Sequence, residues 1–216
     1  MNTDNRYLAI AAVLAGLLIL VAIEFIDRPL ARWTHEQFHG LFLFPLLTQI
    51  SDTVVQIASG CLFVMMLAAV VGWRTGPIGR AALTAFIAVL VAVTIKESLK
   101  FLFGRTWPET WVNGNPSYIH DGVYGFSPLH GGKGWMSFPS GHTTVMAALI
   151  SASWQSFPRL RWVGVGAGVL VVIGLIGADF HWLSDIMAGA ILGTLVGSGL
   201  ATLMPCKVCA ENSDNR

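Results

Sequence analysis

Long apolar stretches broken by short polar ones dominate this chain. The first runs from about Tyr7 to Ile26 and, after the tyrosine, reads LAIAAVLAGLLILVAIEFI. Others cover about 53–73, 81–103, 142–157, 162–178 and 184–204. A helix needs about 20 mostly apolar residues to cross a bilayer, so the pattern predicts six transmembrane helices, the fourth with the shortest apolar run. The first stretch is too long, and too acidic at its end, for a signal peptide, and no small-residue cleavage site follows. Between the first two lies RPLARWTHEQFHGLFLFPLL, whose mixed polar and apolar positions predict an amphipathic helix lying at the interface. A re-entrant segment there would desolvate Arg28, Arg32, His35 and Glu36. The predicted fold class is therefore all-α: a polytopic membrane helical bundle, read as one membrane-embedded domain over residues 1–216.

Composition strengthens this reading. Hydrophobic residues make up 54% of the 216 and charged ones only 12%, about half the share usual for a soluble domain. The net charge of +1 gives no sign of a nucleic-acid partner. Three cysteines are too few for a disulfide framework. Cys61 sits in an apolar run, and Cys206 and Cys209 form a lone C-x-x-C lacking the second ligand pair a zinc site would want.

Charge in the loops predicts orientation. With six spans both termini share one side, which holds Arg6, Arg74, Arg80, Arg159, Arg161, Lys207 and Arg216. The other side holds Arg28, Arg32, Arg105 and Lys133, with Lys96 and Lys100 near the end of the third span. The bias places the termini in the cytoplasm. All six histidines (His35, His39, His120, His130, His142, His181) fall in or beside the opposite, non-cytoplasmic segments. A chemical site is expected on that face, in a bacterium the periplasmic or extracellular face of the inner membrane.

Three segments carry the candidate chemistry. In FPSGHTT, residues 138–144, Pro139 and Ser140 stand where a helix would start, and free N–H groups there would receive an anion beside His142. Gly141 lets the backbone come close to a ligand. In DFHWLSD, residues 179–185, His181 and Asp185 are four apart and share a helix face. A carboxylate on one ring nitrogen fixes the tautomer and activates the other nitrogen. Asp179 reads as a loop or capping residue. In KESLKFLFGRTWP, residues 96–108, Lys100 and Arg105 would present cations to a phosphate. Lys96, a turn deeper, suits snorkelling or pairing with an acid.

Taken together, these segments resemble the type 2 phosphatidic acid phosphatase superfamily of lipid phosphate phosphatases, with its pattern K-x6-R-P, P-S-G-H and S-R-x5-H-x3-D. Pro139, Ser140, Gly141 and His142 match the middle motif; His181 and Asp185 match the third; Lys100 and Pro108 match the first. Two family arginines are replaced, by Trp107 and by Leu175, and Gly174 stands for the serine. The resemblance implies hydrolysis of a phosphate monoester or pyrophosphate on a membrane lipid: undecaprenyl pyrophosphate, phosphatidic acid, phosphatidylglycerol phosphate or a lipid A phosphate. His181 would form a phosphohistidine, Asp185 would orient it, and His142 would protonate the leaving oxygen and then activate water. Lys100, Arg105, Ser140 and Gly141 would hold the phosphate oxygens. No cofactor or metal is implied, the sequence shows no cluster of carboxylates to bind one, and no protein partner is inferred. A lipid phosphotransferase and a non-catalytic lipid-binding or transport protein are the alternatives.

The loop over residues 104–138, rich in Gly, Pro, Asn and aromatics, is too long for an idle connection. It is expected to act as an interfacial aromatic belt, a lid over a headgroup, or both, with Trp107, Asn113, Asn115, His130 and Lys133 as candidate headgroup contacts.

Overall fold

The computed structural model describes residues 3–111 and 114–205. Every named element among them is helical. Helix α1 (Thr3–Val21) passes through one π turn (Ala22–Ile26) directly into α2 (Asp27–Phe38). Helices α3 (Leu43–Val70) and α4 (Pro77–Phe103) follow. A long connection then carries the single-turn α5 (Tyr118–Asp121) and leads to α6 (Gly141–Ser153), α7 (Arg161–Gly177) and α8 (Leu183–Leu203).

The α1–α2 unit, α3, α4 and α8 are each long and apolar enough to cross a membrane. Large apolar side chains such as Leu17, Phe63, Val70, Val163 and Leu195 face outward. Such a surface would drive aggregation in water and belongs in lipid, so the chain is an integral membrane protein built as a helical bundle. Helix α7 has 17 residues and α6 only 13. At 1.5 Å per residue α6 spans about 20 Å, short of the roughly 30 Å hydrocarbon layer.

Two boundaries differ from those expected. The first helix does not stop at Ile26 but runs on to Phe38, and the second starts at Leu43 rather than near residue 53. The segment expected as one interfacial helix is therefore the end of one long helix, a turn at Gly40 (φ +81°) and the start of another. Polar Thr48, Ser51 and Asp52 lower the hydropathy of the start of α3. The fold buries Thr48 and Ser51 and puts Asp52 beside a cavity. On α2, Asp27, Ala31 and Thr34 are buried; spaced i, i+4, i+7, they form one stripe facing the bundle.

Helix α6 occupies the centre, packed against α3, α4, α7 and α8. Its approach to α8 is set by Gly189, Gly193 and Gly197, one every turn. A Cβ at Gly193 would strike the carbonyl oxygen of Thr144, and one at Gly197 that of Ala148. Small residues at this spacing let helix backbones touch, the close packing on which helix association in lipid depends. The start of α6 is thereby held against the start of α8.

Candidate active site

The site lies at one end of the bundle, where α3, α6 and α8 begin, α4 ends and the 104–140 connection folds back. Ser140 is the N-cap of α6. Its Oγ accepts the N–H of Thr143 (3.5 Å), and its own N–H donates to the carbonyl of Asp185 (3.0 Å). The two short motifs are thus tied backbone to backbone. His142 stands in the first turn of α6, and its ring centroid is 5.8 Å from that of His181.

Asp185 is fully buried as the third residue of α8, and each of its oxygens has a distinct duty. Oδ2 faces Nδ1 of His181 at 3.3 Å and accepts from Ser137 Oγ (2.5 Å) and the Trp182 N–H (3.2 Å). Oδ1 accepts from Arg105 Nη1 (2.5 Å). With Nδ1–H donating to Asp185, the lone pair of His181 belongs to Nε2, a buried atom with no hydrogen-bond partner. Burial pushes the His181 pKa below its ordinary value against the opposing pull of Asp185, so the ring is neutral and able to act as a nucleophile.

Arg105 stands apart from the role expected for it. It is fully buried, and its Nη2 donates to Asp27 Oδ2 (2.8 Å) and Tyr124 Oη (2.9 Å). Asp27 in turn receives the N–H and hydroxyl of Ser184 (3.0 and 2.5 Å). The guanidinium therefore bridges two carboxylates and does not border the cavity described below. Burial alone would lower its pKa, but Asp185 and then Asp27 raise it above the ordinary value. Burial pushes the Tyr124 pKa up to about 12, which keeps the phenol protonated to donate to the carbonyl of Ile23 (2.5 Å).

A cavity of about 490 Å³ opens beside the two histidines. Lys96 and Lys100 of α4, Ser51, Asp52 and Gln56 of α3, Gly141, His142, Trp107 and His181 contribute to its wall. Lys100 sits over the Trp107 ring (5.5 Å to the centroid), and that ring lies against His181 (5.0 Å). Lys96 pairs with Glu97, and its stem passes so close to Gly141 that a Cβ there would lie 3.0 Å from its carbons. Asp52 Oδ1 is 3.9 Å from His142 Nε2, while Nδ1 of His142 is buried without a partner. Two cations, two imidazoles and the amide end of a helix thus converge on one space. Such a set can hold a phosphate, attack it and protonate its leaving group.

His181, Asp185, His142, Lys100, Gly141 and Trp107 lie together. Ser140 is wholly buried as a cap and does not border the cavity. Leu175, in place of the second family arginine, is buried against Met146, Val171 and Ile186. Of the expected headgroup contacts, Asn115 instead accepts the Trp111 N–H (2.8 Å) and shapes its own loop. His130 stacks on Trp135 (4.3 Å), and the Lys133 carbonyl accepts from Trp107 Nε1 (2.8 Å). Asn113, Cys206 and Cys209 lie outside the described residues. Sequence reasoning missed Asp27, Asp52, Ser137, Tyr124 and Ser184. Asp27 did give a signal, as an ionisable residue at the end of an apolar run.

The sequence model of the PAP2 superfamily matches residues 81–208, from the start of α4 past the end of α8. The chain belongs to the PAP2 superfamily. Among members with described functions, the lipid A 1-phosphatase of Rhizobium johnstonii is 29% identical over 109 residues, which is 50% of this chain and 41% of that protein. The undecaprenyl-diphosphatase of Sulfolobus acidocaldarius is 27% identical over 124 residues, 57% of this chain and 53% of that one. The chain spans about half the length of the curated relatives it matches. In three dimensions it is similar to a transmembrane PAP2-type phosphatidylglycerolphosphate phosphatase from Bacillus subtilis. The TM-score is 0.57 at 19% identity, with 88% of this chain and 94% of that one covered. That likeness extends the PAP2 fold to the α1–α2 unit and α3.

Proposed function

We propose that the chain is a lipid phosphatase that cleaves a phosphate monoester or pyrophosphate from a membrane lipid through a phosphohistidine at His181. The observation that carries this reading is the orientation of His181: Nδ1 faces buried Asp185, and Nε2 is unpartnered beside a cavity lined by His142 and two lysines. In the first step Nε2 forms the N–P bond as the bond to the lipid oxygen breaks, and His142 gives that oxygen a proton. In the second, His142 takes a proton from water as the hydroxide displaces the histidine, releasing inorganic phosphate. Lys100, Lys96 and the amide of Gly141 neutralise the non-bridging oxygens. Arg105 acts at one remove, as a positioning residue that fixes Asp185.

The named relatives support a lipid carrying a phosphate or diphosphate at an accessible end: a lipid A 1-phosphate, undecaprenyl pyrophosphate or phosphatidylglycerol phosphate. In this reading the α1–α2 unit, α3, α4, α7 and α8, together with the short central α6 that they enclose, form a six-span catalytic unit in the inner membrane, with both termini cytoplasmic and the site periplasmic. The loop arginines Arg6, Arg74, Arg80, Arg159 and Arg161 on the face opposite the site support this orientation, while Arg105 on the site face is held between two carboxylates. In this reading Trp107, held by its Nε1 bond to the Lys133 carbonyl, is the part of the 104–138 loop that walls the cavity. Phosphate release from these three lipids by purified protein, with His181→Ala alongside, tests the reading. Release by wild type alone supports it, and silence on all three overturns it.

A further inference from the structure

On the same end of the bundle, the fold gathers a second group of side chains that the proposed chemistry does not use. His35 stands in the last turn of α2 and His39 caps its end, Glu109 lies in the loop after α4, and Asp179 follows α7. One ligand atom from each of the four lies within 4.8 Å of every other. His35 Nδ1 is 2.9 Å from Asp179 Oδ2 and 3.2 Å from Glu109 Oε2, and His39 Nδ1 is 4.0 Å from the same Glu109 oxygen. Four ligands at 2.0–2.1 Å around a tetrahedral zinc ion stand about 3.3 Å apart, so the cluster needs only small side-chain movements to close on an ion.

The two carboxylates meet the histidines in one ion-paired cluster, each turning one oxygen toward the imidazoles. Glu109 is buried, and its Oε1 accepts the Thr110 N–H (2.7 Å) and pairs with His120 Nε2 (2.8 Å). Its Oε2, equally buried, accepts no hydrogen bond and faces the histidine pair. Asp179 is divided in the same way: Oδ1 accepts from Thr34 Oγ1 (2.8 Å), and Oδ2 faces His35. Each carboxylate thus has one oxygen fixed by neighbours and one turned inward, the outer-shell support that metal ligands receive. A buried carboxylate oxygen that accepts no hydrogen bond is costly unless a nearby cation, a protonated imidazole or a metal ion, completes it.

We propose that His35, His39, Glu109 and Asp179 form a binding site for one divalent first-row transition ion of the zinc class. Mixed imidazole and carboxylate donors suit zinc among the common divalent ions, whereas calcium and magnesium take oxygen ligands. The ion would staple α2 to the loop after α4 and to the α7–α8 connection, two residues ahead of His181. It is a structural clasp, separate from the cavity.

The test is metal content, which can be read whether or not any lipid is hydrolysed. Tag-free full-length protein carrying Cys206→Ser and Cys209→Ser, which removes the tail thiols as a zinc source, is stripped with chelator, exposed to zinc and desalted. It is expected to retain about one zinc per chain and to melt roughly 5 °C or more higher with zinc than with chelator. His39→Ala, at an exposed ligand, and Glu109→Gln, an isosteric change, are each expected to weaken zinc binding at least about tenfold while eluting as monodisperse protein. Retention of no zinc by the parent protein would overturn the proposal, as would equal retention by both variants.

Discussion

Arg105 Nη1 donates to Asp185 Oδ1 at 2.5 Å, and the same guanidinium reaches Asp27 at 2.8 Å. One buried cation thus joins the start of α2 to the carboxylate that orients His181. Removing it strands two buried carboxylates, which costs about 3–5 kcal/mol. Arg105→Ala is expected to lower the unfolding midpoint sharply in detergent. Arg105→Lys should recover only part of that loss, because an ammonium lacks the planar fork. An alanine variant as stable as wild type would show that the bridge is unimportant.

The two carboxylates on Arg105 should separate when mutated. Asp185→Asn removes the acceptor that fixes the His181 tautomer, a change expected to reduce kcat by about 10³–10⁴-fold. Asp27→Asn breaks the same cluster without touching His181, so its main effect should be on stability, with a much smaller loss of kcat. Equal kcat losses in the two variants would contradict the division of roles.

Lys100 lines the cavity over Trp107, and a charge-assisted contact to phosphate contributes roughly 1.5–3 kcal/mol. Lys100→Ala is therefore expected to reduce kcat/KM by about 10–100-fold, as read by initial rates on the best lipid. Lys96→Ala should give a smaller loss, since Glu97 already shares its charge.

Much of this arrangement is legible in the sequence, and the illegible parts have physical reasons. His181 and Asp185 sit one helical turn apart, and the P-S-G-H run announces a capped helix start, so both motifs can be read locally. The Arg105 bridge joins positions 78 and 80 apart, and no local pattern encodes it. Trp107, where the family has an arginine, packs its ring on His181 and carries Lys100. The start of α3 was hidden because Thr48, Ser51 and Asp52 are polar for reasons of packing and site chemistry, and hydropathy reads such residues as an interruption. The His35–Glu109–Asp179 cluster escaped because its members come from three separate segments.

Gly193 shows how the bundle governs the site. A Cβ there meets the α6 backbone rather than a flexible side chain, so overpacking has no cheap relief. Gly193→Ala is expected to cost about 1–3 kcal/mol and, by moving α6 from α8, to reduce kcat more than a comparably destabilising change on the outer face of α1. Unchanged melting and turnover would refute this coupling.

His181 is the group proposed to take the phosphoryl. Rapid quenching of the purified protein with a lipid labelled at its terminal phosphate, followed by peptide mapping, tests this directly. Acid-labile, base-stable label is expected on the peptide containing His181 and is expected to be absent from His181→Ala. Turnover of that lipid with no label on His181, or with label on another residue, would contradict it.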